Sequence, residues 1–236
     1  MRFDPSGLVV ACRRVVERHP ECGPLWWLCA HLLAAQEPFQ LAWQLADAID
    51  DDSTADALAA AIPDDAVVLT VGWTDIGARA LTRRGDVTVL VTESRHNGSS
   101  MVQRLERYDV PCELVPAEAI GRAVPAADVV LVEAYATSSD RVVATIGSAA
   151  VAAVAATCGV PVWLVAGVGR RLPRELVVAI EARVASTDDP WELDTDVLST
   201  GCITHVVGVH GLAPAGPEAL AAECPMVPEL LRVSPI

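Results

Sequence analysis

The feature that most limits what this chain can fold into is the run VVATIGSAAVAAVAATCGVPVWLVAG, from Val142 to Gly167. It is long and apolar enough to cross a bilayer, for which a helix needs roughly 20 apolar residues with every backbone group paired internally. Its punctuation points elsewhere. Ser148 to Thr157 is Ala- and Val-rich, as a tightly packed helix is; Gly159 then supplies a left-handed C-cap and Pro161 follows. The segment PVWLVAG is short and continuously apolar, the pattern of a parallel strand covered on both faces. With ADVVLVEAY, Ala127 to Tyr135, ahead of it, the stretch reads as a strand–helix–strand crossover in an α/β core, and no membrane partner is expected.

The charge of the chain excludes several functions. The 236 residues carry 31 acidic and 17 basic side chains, for a net charge of −14, and every basic residue is Arg. Without lysine there is no Schiff base, P-loop lysine or lysine general base. An acidic chain also lacks the basic surface that nucleic-acid binding requires, which leaves room only for a small phosphate held by a local Arg or by helix N-terminal amides. The N-terminal segment MRFDPSGLVVACRRVV has no signal-peptide pattern, so a cytoplasmic location is expected. The seven Cys form no C-x-x-C pair and lie mostly in apolar segments, which predicts buried free thiols and no metal.

The chain divides by pattern. Residues 1–62 repeat apolar positions at helical spacing and form a small N-terminal helical region, in which Trp26, Trp27 and Trp43 are read as core. From residue 63 to 236 strands alternate with helices, as in a Rossmann-like, doubly wound parallel sheet of the α/β class. ITHVVGVHG is read there as a single strand. In such a sheet ligands collect where strand C-terminal ends meet helix N-termini. That rule selects the turns TVGWTD, ESRHNGSS, EAYATSSDR and GVGRRLPR. None contains G-x-G-x-x-G, a Walker A sequence or G-x-S-x-G, so no nucleotide cofactor is expected, and His96 is the one histidine in a ligand turn.

These turns, in this order, resemble the family that unites the alpha, beta and delta regulatory subunits of translation initiation factor 2B with methylthioribose-1-phosphate isomerase and ribose-1,5-bisphosphate isomerase. The likeness runs from about Ile62 to the C-terminus. AIPDDAVVLTVGW resembles the family's segment ending I-L-T-H-C, and TVLVTESR its E-T-R-P strand and turn. ADVVLVEAY, followed by VVATIGSAAVAAVAATCGVPVWLVA, resembles its G-A-D, N-K-I-G-T and G-[VI]-P series, and CPMVPELL its closing P-P-E-L-I.

The departures from that pattern bear on function. The resemblance implies an isomerase cysteine where this chain has Gly72, and an isomerase aspartate where it has Tyr135 or, with the gap placed differently, Ala134. Thr145 stands at the family's lysine. Glycine has no side chain and a tyrosine is too weak an acid to serve as an ionised base at neutral pH. The resemblance still implies an anion site, with Thr70, Gly72, Trp73, Arg95, Ser99, Ser100, Glu133, Tyr135, Gly147, Ser148 and Arg170 as ligand-binding candidates. The expected function is a non-catalytic, homodimeric relative that binds a phosphorylated small molecule, a sugar phosphate or nucleotide. The alternatives are an isomerase whose acid–base pair has moved to Glu133, Asp140 or Tyr135, and a scaffold subunit with no ligand, in which Arg95, Arg170, Arg171 and Arg174 are surface ion-pair formers.

Overall fold

The computed structural model describes residues 5–186, 189 and 191–232. Helices α1 (Pro5–Arg18), α2 (Gly23–Ala34), α3 (Pro38–Asp50) and α4 (Thr54–Ala61) come first. Strands and helices then alternate through β1 (Val67–Val71), α5 (Asp75–Leu81), β2 (Thr88–Thr92), α6 (Asn97–Glu106), β3 (Cys112–Val115) and the short α7 (Ile120–Ala123). The second half holds β4 (Val129–Thr137), β5 (Arg141–Thr145), α8 (Ser148–Cys158), β6 (Val162–Val165), α9 (Arg174–Val184), β7 (Thr195–Ser199), β8 (His205–Gly208) and β9 (Gly211–Pro214).

The main sheet has the order β3-β2-β1-β4-β6-β8-β9, parallel throughout except for β9, which runs antiparallel to β8. The chain lays β2 and β3 on one side of β1, then crosses to build β4, β6 and β8 on the other. The β1–β4 junction is therefore the switch point, where helices diverge and leave a crevice beyond the strand ends. This is the expected Rossmann-like α/β fold with helices ahead of it.

Side-chain alternation explains why the central strands are predominantly apolar. In β4, Val129 and Leu131 join Val68, Val89 and Val91 beneath α4, α5 and α6, whereas Val130 and Val132 join Leu69 and Val71 beneath α8. Both faces are covered, so both parities are mainly apolar. A third apolar cluster holds Trp26, Trp27 and Cys29 of α2, Val16 of α1 and Leu176 and Ile180 of α9 against Ala136 and Val143. Among the described residues no helix is long and apolar enough to cross a membrane.

The structure corrects four expectations. EAYATSSDR is no strand-to-helix turn: β4 leaves the main sheet after Glu133 and pairs antiparallel with β5, which in turn carries β7, and Ser138 to Asp140 form the hairpin tip. The physical reason is that two apolar strand patterns flank three turn-forming residues. ITHVVGVHG holds β8 and the first residue of β9, separated by a turn before Gly211 at φ +101°. Trp43 is 76% exposed, because α3 buries Pro38 and Leu45 and turns Trp43 outward. The thiols are free, as expected, but only Cys12 and Cys29 are buried; Cys158 ends α8 on its solvent side.

Candidate functional site

The crevice at the β1–β4 junction opens into a cleft of about 330 Å³. Glu21, Cys22 and Pro24 of the α1–α2 turn form one wall; Trp73 and Asp75 follow β1, and Asn97 begins α6. Glu133 and Tyr135 of β4, Thr145 of β5 and Arg170 complete it. Tyr135 lies at a break in strand register: Ala134 pairs with Ala144 and Ala136 with Val143, so β4 bulges there. A bulge bends its strand and re-aims a side chain, and this one carries β4 from the main sheet into the hairpin. The Tyr135 hydroxyl meets Thr145 Oγ1 at 2.7 Å. Burial pushes the phenol above its ordinary value, a shift that the Thr145 hydrogen bond opposes, so it is protonated at neutral pH. The α1–α2 turn rests against the bulge because residue 23 is glycine; a Cβ there would lie 2.3 Å from the Tyr135 carbonyl oxygen.

Carboxylates of the chain occupy the helix starts around this cleft. Glu133 accepts the backbone N–H groups of Asp75 at 3.3 Å, Ile76 at 2.9 Å and Gly77 at 3.0 Å, and lies 3.0 Å from the Arg170 guanidinium. Both side chains of that pair are largely buried, at 7% and 14% exposure. Arg170 also donates to the Ala134 carbonyl. Glu93 accepts from Ser94 N at 2.9 Å and Gly98 N at 3.0 Å, and Asp196 accepts from Gly147 N at 2.8 Å and Ala149 N at 3.0 Å. Helices α5, α6 and α8 thus begin on Glu133, Glu93 and Asp196, in the favourable orientation for negative charge at a helix N-terminus.

Of the residues selected from the sequence, the structure brings Trp73, Glu133, Tyr135 and Arg170 together in the cleft. Gly72 follows β1 with φ +55°, and its N–H bonds to the Thr92 carbonyl at 2.9 Å. Thr70 is buried within β1, its hydroxyl without a partner among the described residues. Arg95 turns away and donates to the carbonyls of Trp191 at 2.7 Å and Leu193 at 3.4 Å, and His96 is the left-handed N-cap of α6. Ser99 bonds back to the His96 carbonyl, and neither it nor Ser100 lines the cleft. Gly147 and Ser148 start α8, where Asp196 already sits. Asp140, at the hairpin tip, bonds to Ser138 at 2.8 Å and Arg174 at 2.9 Å and lies outside the cleft lining. Arg171 pairs with Glu223.

Sequence reading missed Glu21 and Asp196. The glycine before Pro24 was the available signal for Glu21, since a helix start without a Cβ permits close approach of another backbone. Nothing local marked Asp196.

The family of initiation factor 2 subunits matches residues 40–186. The chain belongs to the initiation factor 2 subunit family. Among solved structures it is similar to the translation initiation factor eIF-2B of Pyrococcus horikoshii OT3, with 16% identity and a TM-score of 0.72 over 92% of this chain and 86% of that one. It is also similar to eIF2B beta from Chaetomium thermophilum, with 15% identity and a TM-score of 0.70 over 98% and 80%. A chain of the tetrameric eIF2B-beta2-delta2 complex from C. thermophilum matches with 14% identity and a TM-score of 0.69 over 93% and 80%. Comparison with curated protein sequences gives no match. In this member of the initiation factor 2 subunit family burial and pairing set several of the cleft's titratable groups. The Tyr135 phenol is protonated, burial raises the Cys22 thiol, and Glu133 is committed to three amides and Arg170.

Proposed function

We propose that this chain is a non-catalytic member of its family, a regulatory or assembly subunit. The observation that carries the reading is the placement of Glu133, Glu93 and Asp196 on the starts of α5, α6 and α8. An anionic sugar phosphate would have to displace a carboxylate of the chain at each of them. Gly72 and Tyr135, where the family resemblance implies an isomerase's cysteine and aspartate, add support. We place the chain in the cytoplasm as a homodimer; a similarly folded neighbour was solved as a beta2-delta2 tetramer. Coupled assays on methylthioribose 1-phosphate and ribose 1,5-bisphosphate are expected to give no aldose–ketose conversion above blank, and turnover of either would overturn the reading. Light scattering is expected to return twice the 24.9 kDa chain mass.

A second reading, binding of a phosphorylated small molecule without turnover, draws on Arg170, Trp73 and Tyr135 facing one cleft. Under it, a sugar phosphate at about a hundred times its Kd adds about 2.7 kcal/mol of stability and raises Tm by several degrees. That rise would disappear in Arg170→Met.

A further inference from the structure

We infer that β7 is the surface through which two copies of the chain associate. It pairs antiparallel with β7 of a second copy, so that the β4-β5-β7 sheet runs on across a two-fold axis at Val197. The inference rests on the reading above, that the chain is a homodimer, and deepens it by naming the surface.

Strand β7 is an open edge. Among the described strands it pairs with β5 alone. Ile146 N–H donates to the Asp194 carbonyl at 2.9 Å and Thr200 N–H to the Asp140 carbonyl at 3.3 Å, just beyond the two ends of the β5–β7 ladder. Hydrogen-bonded pairs alternate with non-bonded ones along an antiparallel ladder. Asp196 and Leu198 therefore bond to β5, whereas the backbone N–H and C=O groups of Thr195, Val197 and Ser199 point away from it. Among the described residues nothing receives them.

This edge lacks the devices that keep strands from pairing with other chains. A free edge is ordinarily blunted by proline, by charge or by a cover. At the two borders of the main sheet, Pro111 and Pro116 flank β3 and β9 ends in Pro214. The β7 sequence TDVLS has no proline and no basic residue. Its one charged side chain, Asp196, is held on the α8 side by the Gly147 and Ala149 N–H groups. Val197, at the middle of the strand, is 40% exposed, and Trp191, on the segment that leads into it, is 88% exposed.

The strand is complementary to itself in one register. A two-fold axis, the symmetry of most homodimers, sets two copies of a strand antiparallel. With the axis at Val197, Thr195 faces Ser199 of the second copy and the two valines face each other. These are the residues whose backbone groups point outward, so each such pair exchanges both its bonds. Asp196 then stands opposite Leu198. An axis at Asp196 would set two carboxylates opposite each other, which destabilises a sheet. An axis at Leu198 would set Thr195 opposite Gly201, in the turn after the strand.

The test combines light scattering with residue-resolved amide hydrogen exchange on the full chain. The native chain is expected at twice 24.9 kDa, and Val197→Lys, which sets two ammonium groups together on the axis, at 24.9 kDa. Trp43→Lys, on the exposed side of α3, is expected to leave the dimer intact. In the native dimer the amides of Thr195, Val197 and Ser199 are expected to exchange as slowly as those of Asp196 and Leu198, and at least about ten-fold faster in Val197→Lys. Protection in the native strand is read without any variant, so a misfolded Val197→Lys leaves the test standing. A dimer that survives Val197→Lys, or whose Thr195, Val197 and Ser199 amides exchange freely, overturns this interface and leaves the homodimer reading intact. A native chain that is monomeric at every concentration overturns both.

Discussion

At the scale of single residues, backbone and burial leave little choice at Gly72 and at the Glu133–Arg170 pair. Gly72 has φ +55°, and a Cβ built on it would lie 2.9 Å from the Ser94 Cβ. Gly72→Cys is therefore expected to bring no isomerase activity and to cost about 1–3 kcal/mol of stability, read by urea denaturation, because a left-handed conformation strains any residue with a side chain. The Glu133–Arg170 pair gives an asymmetric expectation. Glu133→Ala strips three backbone amides of their acceptor and leaves a buried guanidinium unpaired, which costs about 3–5 kcal/mol. Arg170→Leu leaves the carboxylate its three N–H donors and should cost distinctly less in the same assay. Glu133 was visible in the sequence as a candidate acid, but its role was not. Only the packing of α5 against β4 turns a possible base into the anchor of a helix start.

Among elements, the β4–β5 hairpin and its bulge most affect what the site can do. The apolar pattern from Ala127 to Tyr135 was legible as a strand, and the helix and strand of α8 and β6 were legible from Gly159 and Pro161. The hairpin was not, since a continuous apolar strand looks the same whether its neighbours run parallel or antiparallel. Asp140 at the tip reports on the hairpin through pH. The Ser138 hydroxyl, then Arg174, hold its carboxyl below the ordinary carboxylate value. A lowered folded value means that the contribution to stability is fully present above about pH 3.9 and is lost as pH falls through the folded value. The Tm difference between the native chain and Asp140→Asn, present at pH 7, is thus expected to close in acid below about pH 4.

For the molecule as a whole, the N-terminal helices and the sheet share apolar surface. Cys12, Val16, Trp26 and Trp27 pack with Ala136, Val143, Leu176 and Ile180 in one cluster. Deleting residues 1–35 uncovers that surface, and the truncated chain is expected to lose a single sharp calorimetric transition and to bind a hydrophobic dye. The same deletion removes Glu21, Cys22 and Pro24 from the cleft lining.

Sequence alone determined the fold class, the alternation of strands and helices apart from the β4–β5 hairpin, and the absence of lysine chemistry. These follow from local propensity, hydrophobic period and residue identity, which need no knowledge of distant partners. The tertiary structure decided the rest: that Asp196 reaches Gly147 and Ala149, that Glu133 reaches α5, that Arg95 faces the segment around Leu193, and that Glu21 borders the cleft. Each of those contacts joins residues far apart in the chain, and which carboxylate meets which amide depends on how the strands cross, a quantity no local pattern encodes.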